Sequence, residues 1–470
     1  MLSFWALALG TAMAQPWVLE TSHGTTRAIA QASEADVQKI AGKAEAKAAG
    51  VLQGWEKPPG MVPLGVYWPW ERTEPLARFC RMEKWKFVDR ALGLLARNRI
   101  NTVWVVNFPI AELAPMLAAC HRHGVYLLPG FGEIHYDIEW RHSNWEYFAQ
   151  QLARIKAEVK RSGAAAEHLL GYILCDEPRP QVMDGIEELR QRFAEIDPLR
   201  PAFTVTTWGA TQTAIEKTHQ PVVCVDLYPF FGPNDPNGPH TPEASRNYYT
   251  SNLVRFADML RGQDRALWAM FQCYCEVWGP WRYDERHRQV ALPGSYLHWV
   301  TPSPAQIRWQ VWEAVRCGAR GLICFLALPQ PPDPESQNKP PPDVQWKEVL
   351  LKSETVAGPA ALLNPDLTVT EQLAALGQEY GALSKLSRVI LSWQPAREKG
   401  LRVAGAAVGV FRDARSDARY VVLVNNDFDS VASVDVLLPA GVRELKSAVS
   451  GEQVPVSVRQ GVARAVLSLA

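Results

Sequence analysis

Between residues 61 and 388 the chain alternates short, uninterrupted apolar runs with longer segments whose apolar positions recur every three or four residues. The runs read MVPLGVYW (61–68), NTVWVVNF (101–108), GVYLLPGF (124–131), LLGYIL (169–174), PAFTVTTW (201–208), PVVCVDLYPF (221–230), RALWAMFQCYCE (265–276) and GARGLICFLAL (318–328). An apolar run without polar alternation is the pattern of a strand covered on both faces, as in a parallel sheet. The segments between them, at 85–97, 111–123, 145–161, 185–196, 211–217, 244–260, 304–317 and 370–386, carry the helical period. Eight strand–helix units predict parallel strands with right-handed crossovers, closed into a (β/α)8 TIM barrel over 61–388. A doubly wound open sheet is the rival, but no glycine-rich phosphate loop follows an early run.

The flanks read differently. Beyond about residue 391 the period becomes two, in AGAAVGVFRD, RYVVLVNND, VASVDVLLPAG, QVPVSVRQ and VARAVLSLA, with turn residues such as Asn425, Asn426 and Asp427 between them. That pattern predicts a small antiparallel, β-sandwich-like domain over 389–470. Residues 15–60 are polar and predict a helical extension, with a helix at 34–50 that ends before Glu56-Lys-Pro-Pro-Gly60. Residues 1–14 have the pattern of a signal peptide: an apolar run over 2–9 leads to Ala12-Met13-Ala14, although no basic residue stands near the start. The expectation is export, to a secreted, periplasmic or cell-surface setting. No other stretch is long and apolar enough to predict a membrane span.

Charge narrows the partners. Lys plus Arg and Asp plus Glu number 49 each, so no global field favours nucleic acid or an anionic membrane. The chain has 18 Trp, and a set that large supplies flat apolar faces suited to sugar rings besides filling the core. Of the eight cysteines, Cys175, Cys224, Cys273, Cys275 and Cys324 lie in or beside the apolar runs and read as core. No C-x-x-C pair occurs, and Cys80 and Cys120 are left as the pair open to a disulfide.

The chemistry is expected where the strands end, on the C-terminal face of the barrel. Residues 169–180, LLGYILCDEPRP, end an apolar strand in Asp176 and Glu177, for which a buried strand has no structural use. The other strand ends bring Trp68, Asn107, Glu133, His135, Trp208, Asp226, Tyr228, Gln272, Tyr274, Glu276 and Trp278 to the same rim. A cleft of carboxylates and aromatics, with no phosphate cradle and no His set at metal-ligand spacing, fits glycosidic-bond hydrolysis without a cofactor or metal. The expected partner is a carbohydrate substrate.

Glu177 ending the fourth strand and Glu276 ending the seventh resemble the acid/base and nucleophile of clan A glycoside hydrolases, retaining enzymes on a (β/α)8 barrel. The resemblance covers 61–388 and is one of layout. It implies that Glu177 and Glu276 are catalytic and that Tyr228, after the sixth strand, touches the nucleophile. The clan usually places Asn before its acid/base Glu, where this chain has Asp176. An Asp-Glu pair at that strand resembles instead the substrate-assisted β-N-acetylhexosaminidases. There the Asp orients the substrate's own acetamido group, and Tyr274 or Tyr228 would brace it. A sugar-binding barrel without catalysis is the alternative from another functional class. The remaining rim residues are substrate-binding candidates.

Overall fold

The computed structural model describes residues 17–23, 61–134, 144–233, 235, 238–332, 349–416, 418–428, 430–439, 442–459 and 462–469. The expected signal peptide, the helix expected at 34–50 and His135 lie outside them. The described residues fall into two compact units, one running to Trp393 and the other made of Trp17–His23 with residues 394 onward.

The larger unit carries eight parallel strands, β1 (Leu64–Pro69), β2 (Thr102–Phe108), β3 (Tyr126–Phe131), β4 (Tyr172–Asp176), β5 (Ala202–Thr207), β6 (Val222–Leu227), β7 (Ala266–Gln272) and β8 (Gly321–Phe325). Their order around the sheet is 3-2-1-8-7-6-5-4. The ring closes where Leu127 of β3 bridges Leu169 in parallel, with Leu170 N–H donating to the Leu127 carbonyl at 2.9 Å. Helices alternate with the strands: α1 (Lys84–Arg97), α2 (Leu113–His123), α3 (Trp145–Arg161), α4 (Met183–Ile196), α5 (Trp208–Lys217), α6 (Pro242–Met259), α7 (Pro304–Arg316) and α8 (Glu371–Ser392). The TIM barrel read from the alternation is the fold.

Local chemistry sets the helix ends. Glu83 accepts from the backbone N–H groups of Trp85 and Lys86 to open α1. Ser303 and Gln306 form a reciprocal capping box before α7, with Pro304 pre-set in its first turn.

Alternate strand residues point into the ring. Tyr67, Trp104, Leu128, Ile173, Phe203, Cys224, Trp268 and Ile323 form the barrel's interior. The residues between them face the helices. Trp68 is one of these: it is 0% exposed, and its indole N–H donates to Thr73 Oγ1 at 2.9 Å. The expectation that Trp68 stacks on a sugar is therefore corrected, because period-two alternation puts it on the outer face once Tyr67 points in.

Two long connections shape the C-terminal rim. After β7 the chain makes Glu276–Trp278, which pairs antiparallel with Tyr296–Trp299, and Trp281–Tyr283, which pairs with Arg288–Ala291. After β8, Thr355–Pro359 adds to Arg288–Ala291. The connection over 277–303 is thus built of short antiparallel pairs.

The smaller unit is a pair of antiparallel sheets. One contains Trp393–Pro395, Ala407–Asp413, Arg419–Val424, Trp17–His23, Val442–Ser447 and Gln453–Val454 in that order; the other contains Arg402–Ala404, Ala432–Leu437, Val462–Leu469 and Ser457–Arg459. Val421, Leu423 and Leu445 from the first pack with Val434, Val436 and Leu467 from the second. Trp17–His23 corrects the expectation of a helical segment from residue 15. It is a strand lying between Arg419–Val424 and Val442–Ser447, which supply ladder partners on both of its edges.

Candidate active site

Glu177 is placed by an irregularity at the end of β4. The register with β5 shifts between Ile173 and Asp176, and Glu177 has φ 48°, left-handed for a residue with a Cβ. Its N–H still donates to the Val205 carbonyl at 3.0 Å, so the ladder holds the backbone in a conformation that costs about 1–3 kcal/mol. The turn leaves Asp176 and Glu177, adjacent in sequence, both at the rim: Asp176 half-buried, Glu177 exposed. Asn107 repeats the device on β2, with φ 54° and an exposed side chain where the β2–β3 register shifts.

Around Glu177 the acids gather. The Tyr67 hydroxyl donates to Asp176 Oδ2 at 3.1 Å. Burial, and after it the charge of Glu177, pushes the Asp176 carboxyl up to about 7, with Tyr67 opposing. Asp226, near the end of β6 and 7% exposed, faces the Glu177 carboxyl. Burial first, then its neighbour Glu177 and after it Asp176, holds Asp226 well above the usual carboxylate range. Its Oδ1 has no protein partner among the described residues.

The raised Asp176 has a consequence for stability. In the unfolded chain it ionises near 3.8; in the fold it keeps its proton to about pH 7. The folded state therefore binds the extra proton between those values, and this group makes stability fall as pH rises through that window. Asp176→Asn cannot ionise and can still accept from Tyr67, so it should raise stability more at pH 8 than at pH 5. Urea denaturation at both values tests this; equal shifts would contradict the raised pKa.

Glu276 occupies different surroundings. β7 ends at Gln272, so Glu276 does not end that strand as expected but opens the short strand Glu276–Trp278, four residues on. Burial raises its pKa, while the polar edge of the Trp278 indole, His298 and Arg72 act in the other direction. The Trp278 N–H nevertheless falls short of a geometric hydrogen bond to any group in the described residues. Glu177 is close enough to Glu276 to add its own charge. Arg72, from the turn after β1, donates to the Leu328 carbonyl at 3.0 Å, and Glu276, Glu71, Tyr283 and Tyr67 support its charge against burial. A cavity of about 40 Å³ lies between Arg72, Glu276 and Gln289.

Aromatic rings floor the mouth. Tyr228 packs against Tyr274, Trp299 and Phe325 with ring centroids 5.6, 5.4 and 5.5 Å apart. The Tyr228 hydroxyl donates to Met270 Sδ at 2.9 Å. Burial and then Asp226 hold the phenol high, with Glu177 and Asp176 adding to it. Tyr228 thus belongs with the carboxyls around Glu177.

Other candidates divide. Trp208 opens α5 with 51% of its surface exposed, and Trp278 is half-buried on the hairpin. Glu133 accepts from the Ile110 N–H at 3.2 Å and lies 3.8 Å from Arg154, so it is tied to the turn after β2. Gln272 is 0% exposed: its amide accepts from Phe230 N–H at 2.9 Å and donates to the Phe230 and Val300 carbonyls at 3.0 and 2.8 Å. The expectation that Gln272 binds substrate is corrected, since its amide is spent on backbone. Gln272 instead staples the loop after β6 to the strand Tyr296–Trp299. Cys80 and Cys120 are free thiols, and the Cys80 Sγ donates to the Pro365 carbonyl at 3.3 Å.

Sequence reasoning passed over Tyr67, Arg72, Asp235 and His298. Tyr67 was open to discovery, being the inward neighbour of Trp68; the others depend on how the long connections fold. Among the described residues no group of three or more His, Cys, Asp or Glu is arranged to hold a metal ion. No helix among them is long and apolar enough to cross a membrane.

No family model matches this chain, and neither does any curated protein. Among solved structures it is similar to an exo-β-1,4-mannosidase from Opitutaceae bacterium strain TAV5, at 14% identity and TM-score 0.47, over 70% of this chain and 60% of that one. It is similar to a β-galactosidase from the psychrophilic Marinomonas ef1, at 14% identity and TM-score 0.46, over 70% and 61%. A glycoside hydrolase family 5 mannosidase from Rhizomucor miehei gives 11% identity and TM-score 0.42, over 70% and 94%. The chain thus spans about three fifths of the first two proteins.

Proposed function

We propose that this chain is a retaining glycoside hydrolase, with Glu177 as acid/base and Glu276 as nucleophile. The observation that carries the reading is the placement of the two carboxylates. Glu177, turned to the rim at the end of β4, lies among the acids Asp176 and Asp226, whereas Glu276, beyond β7, lies near Arg72, and Glu177 is close enough to Glu276 to bear on its charge. Two carboxyls so placed can take the two roles of glycoside cleavage, one giving a proton and one attacking.

In the first step the Glu177 carboxyl gives its proton to the glycosidic oxygen as Glu276 attacks the anomeric carbon. The bond to the leaving group breaks and a glycosyl ester of Glu276 forms. Glu177, now ionised, takes a proton from water, whose oxygen attacks the same carbon and releases Glu276. Trp208, exposed at the start of α5, and the half-buried Trp278 would stack on the sugar.

A second reading rests on Asp176, a rim carboxyl beside Glu177 that accepts from Tyr67. In the substrate-assisted mechanism this Asp would orient an acetamido group and Glu276 would be dispensable. A panel of aryl glycosides and polysaccharides, run with wild type beside Glu177→Gln and Asp176→Asn, tests both readings. Turnover confined to N-acetylated sugars and damaged most by Asp176→Asn would favour the second. Binding without turnover of any sugar would favour a non-catalytic barrel.

A further inference from the structure

Arg72 brings a guanidinium to the barrel mouth and leaves most of it unspent. It ends the short turn Trp70–Arg72 after β1 and is half-buried. One N–H, on Nη1, donates to the Leu328 carbonyl at 3.0 Å. The side chain makes no other hydrogen bond and no ion pair among the described residues, although Glu71 and Glu276 support its charge through space. A guanidinium carries five donors in a planar fork, so four remain. Taking such a group out of water is costly unless a carboxylate meets it.

The second observation lies across the cavity that Arg72 lines. Gln289 is 3% exposed, and its backbone is pinned by pairing with Tyr283 on one side and Gly358 on the other. Its Oε1 faces the Cys275 thiol, with Sγ 3.3 Å away, which leaves the two amide N–H groups without a partner among the described residues. A buried donor of this kind costs about 1–3 kcal/mol if nothing accepts from it. Arg72, Glu276 and Phe325 are half-buried while Gln289, Tyr274 and Cys275 are buried, so the cavity of about 40 Å³ runs inward from the mouth. A water needs about 10–15 Å³ of such space, so a carboxyl group fits there and a sugar ring does not. The ring must stay in the cleft and insert one substituent.

We propose that this cavity receives the carboxylate of a hexuronic acid, so that the glycoside attacked is a uronide; the assignment rests on the function proposed above. Arg72 supplies a charged donor and Gln289 a neutral one to the two carboxylate oxygens. A hydroxymethyl group in the same place would leave the guanidinium without a counter-ion, and an ammonium would be repelled by it. The acids around Glu177 do not oppose an anionic sugar: Asp176 keeps its proton to about pH 7, and Asp226 is held well above the usual range.

Binding gives the test, since it needs no turnover. Glucuronate, galacturonate and mannuronate are titrated into the protein beside glucose, galactose and mannose, and read by isothermal calorimetry. At least one hexuronate should bind roughly 10–100-fold tighter than its neutral counterpart, and Arg72→Met should erase that preference. Gln289→Leu, which keeps the volume, should cut it about threefold, and Arg72→Lys, which keeps the charge, should retain part of it. Near-ultraviolet circular dichroism checks that each variant is folded. Where aryl glycosides are turned over, the ratio of kcat/KM for a uronide to that for the matched hexoside should fall in the same order. Equal binding of acid and neutral sugar, binding of no hexuronate, or a preference that survives in folded Arg72→Met would overturn the carboxylate site. A uronate preference without hydrolysis of any glycoside would instead sink the hydrolase reading and leave the site standing.

Discussion

Glu276→Ala should lose turnover of every glycoside the wild type accepts, by roughly 10⁴-fold or more, since removing one member of a catalytic unit disables the unit. The loss should not depend on the leaving group. Without the carboxylate, an aryl leaving group still departs only if something replaces the attacking oxygen on the far face of the sugar. Azide is small and anionic and fits the space the carboxylate vacates beside Arg72 and His298. It should restore turnover and yield a glycosyl azide of inverted configuration. Near-wild-type rates on a sugar without an acetamido group would remove Glu276 from the mechanism.

Glu177→Gln should cost about 10²–10⁴ in rate on natural glycosides, whose alkoxide leaving groups need the proton. The loss should shrink on aryl glycosides with acidic phenols, where departure needs little protonation. The variant keeps the shape of the side chain but has no acidic proton to give. A loss independent of leaving-group acidity, measured as kcat/KM over a series of substituted phenyl glycosides, would contradict the role of general acid.

The barrel was legible because its strands are buried on both faces. β1, β6 and β7 contain no exposed residue, so their sequences lack the polar interruptions that mark a one-sided strand. Asp176 and Glu177 were legible for the complementary reason, as charges ending such a run. What could not be read depends on contacts between distant segments. Trp68 and Tyr67 are equally apolar, and only the pleat decides which of them faces the barrel interior. Gln272 resembles a site residue at a strand end, yet its amide serves the backbone of residues 230 and 300, which the chain brings together only after folding. His298 and Asp235 lie 63 positions apart and meet through a bulge that no local pattern announces. Trp17–His23 reads as the start of a polar tail, but its partners are more than 390 residues away.

The most direct measurement is to trap the intermediate. Incubating the protein with a panel of 2-deoxy-2-fluoro glycosyl fluorides slows both steps but leaves departure of fluoride easy, so a glycosyl ester should accumulate. Intact mass should rise by one fluorosugar, and peptide fragmentation should place it on Glu276. A label on Asp226 or another carboxylate would contradict the assignment of the nucleophile. Wild-type turnover of N-acetylated substrates with no adduct from any member of the panel would contradict the retaining two-carboxylate mechanism itself.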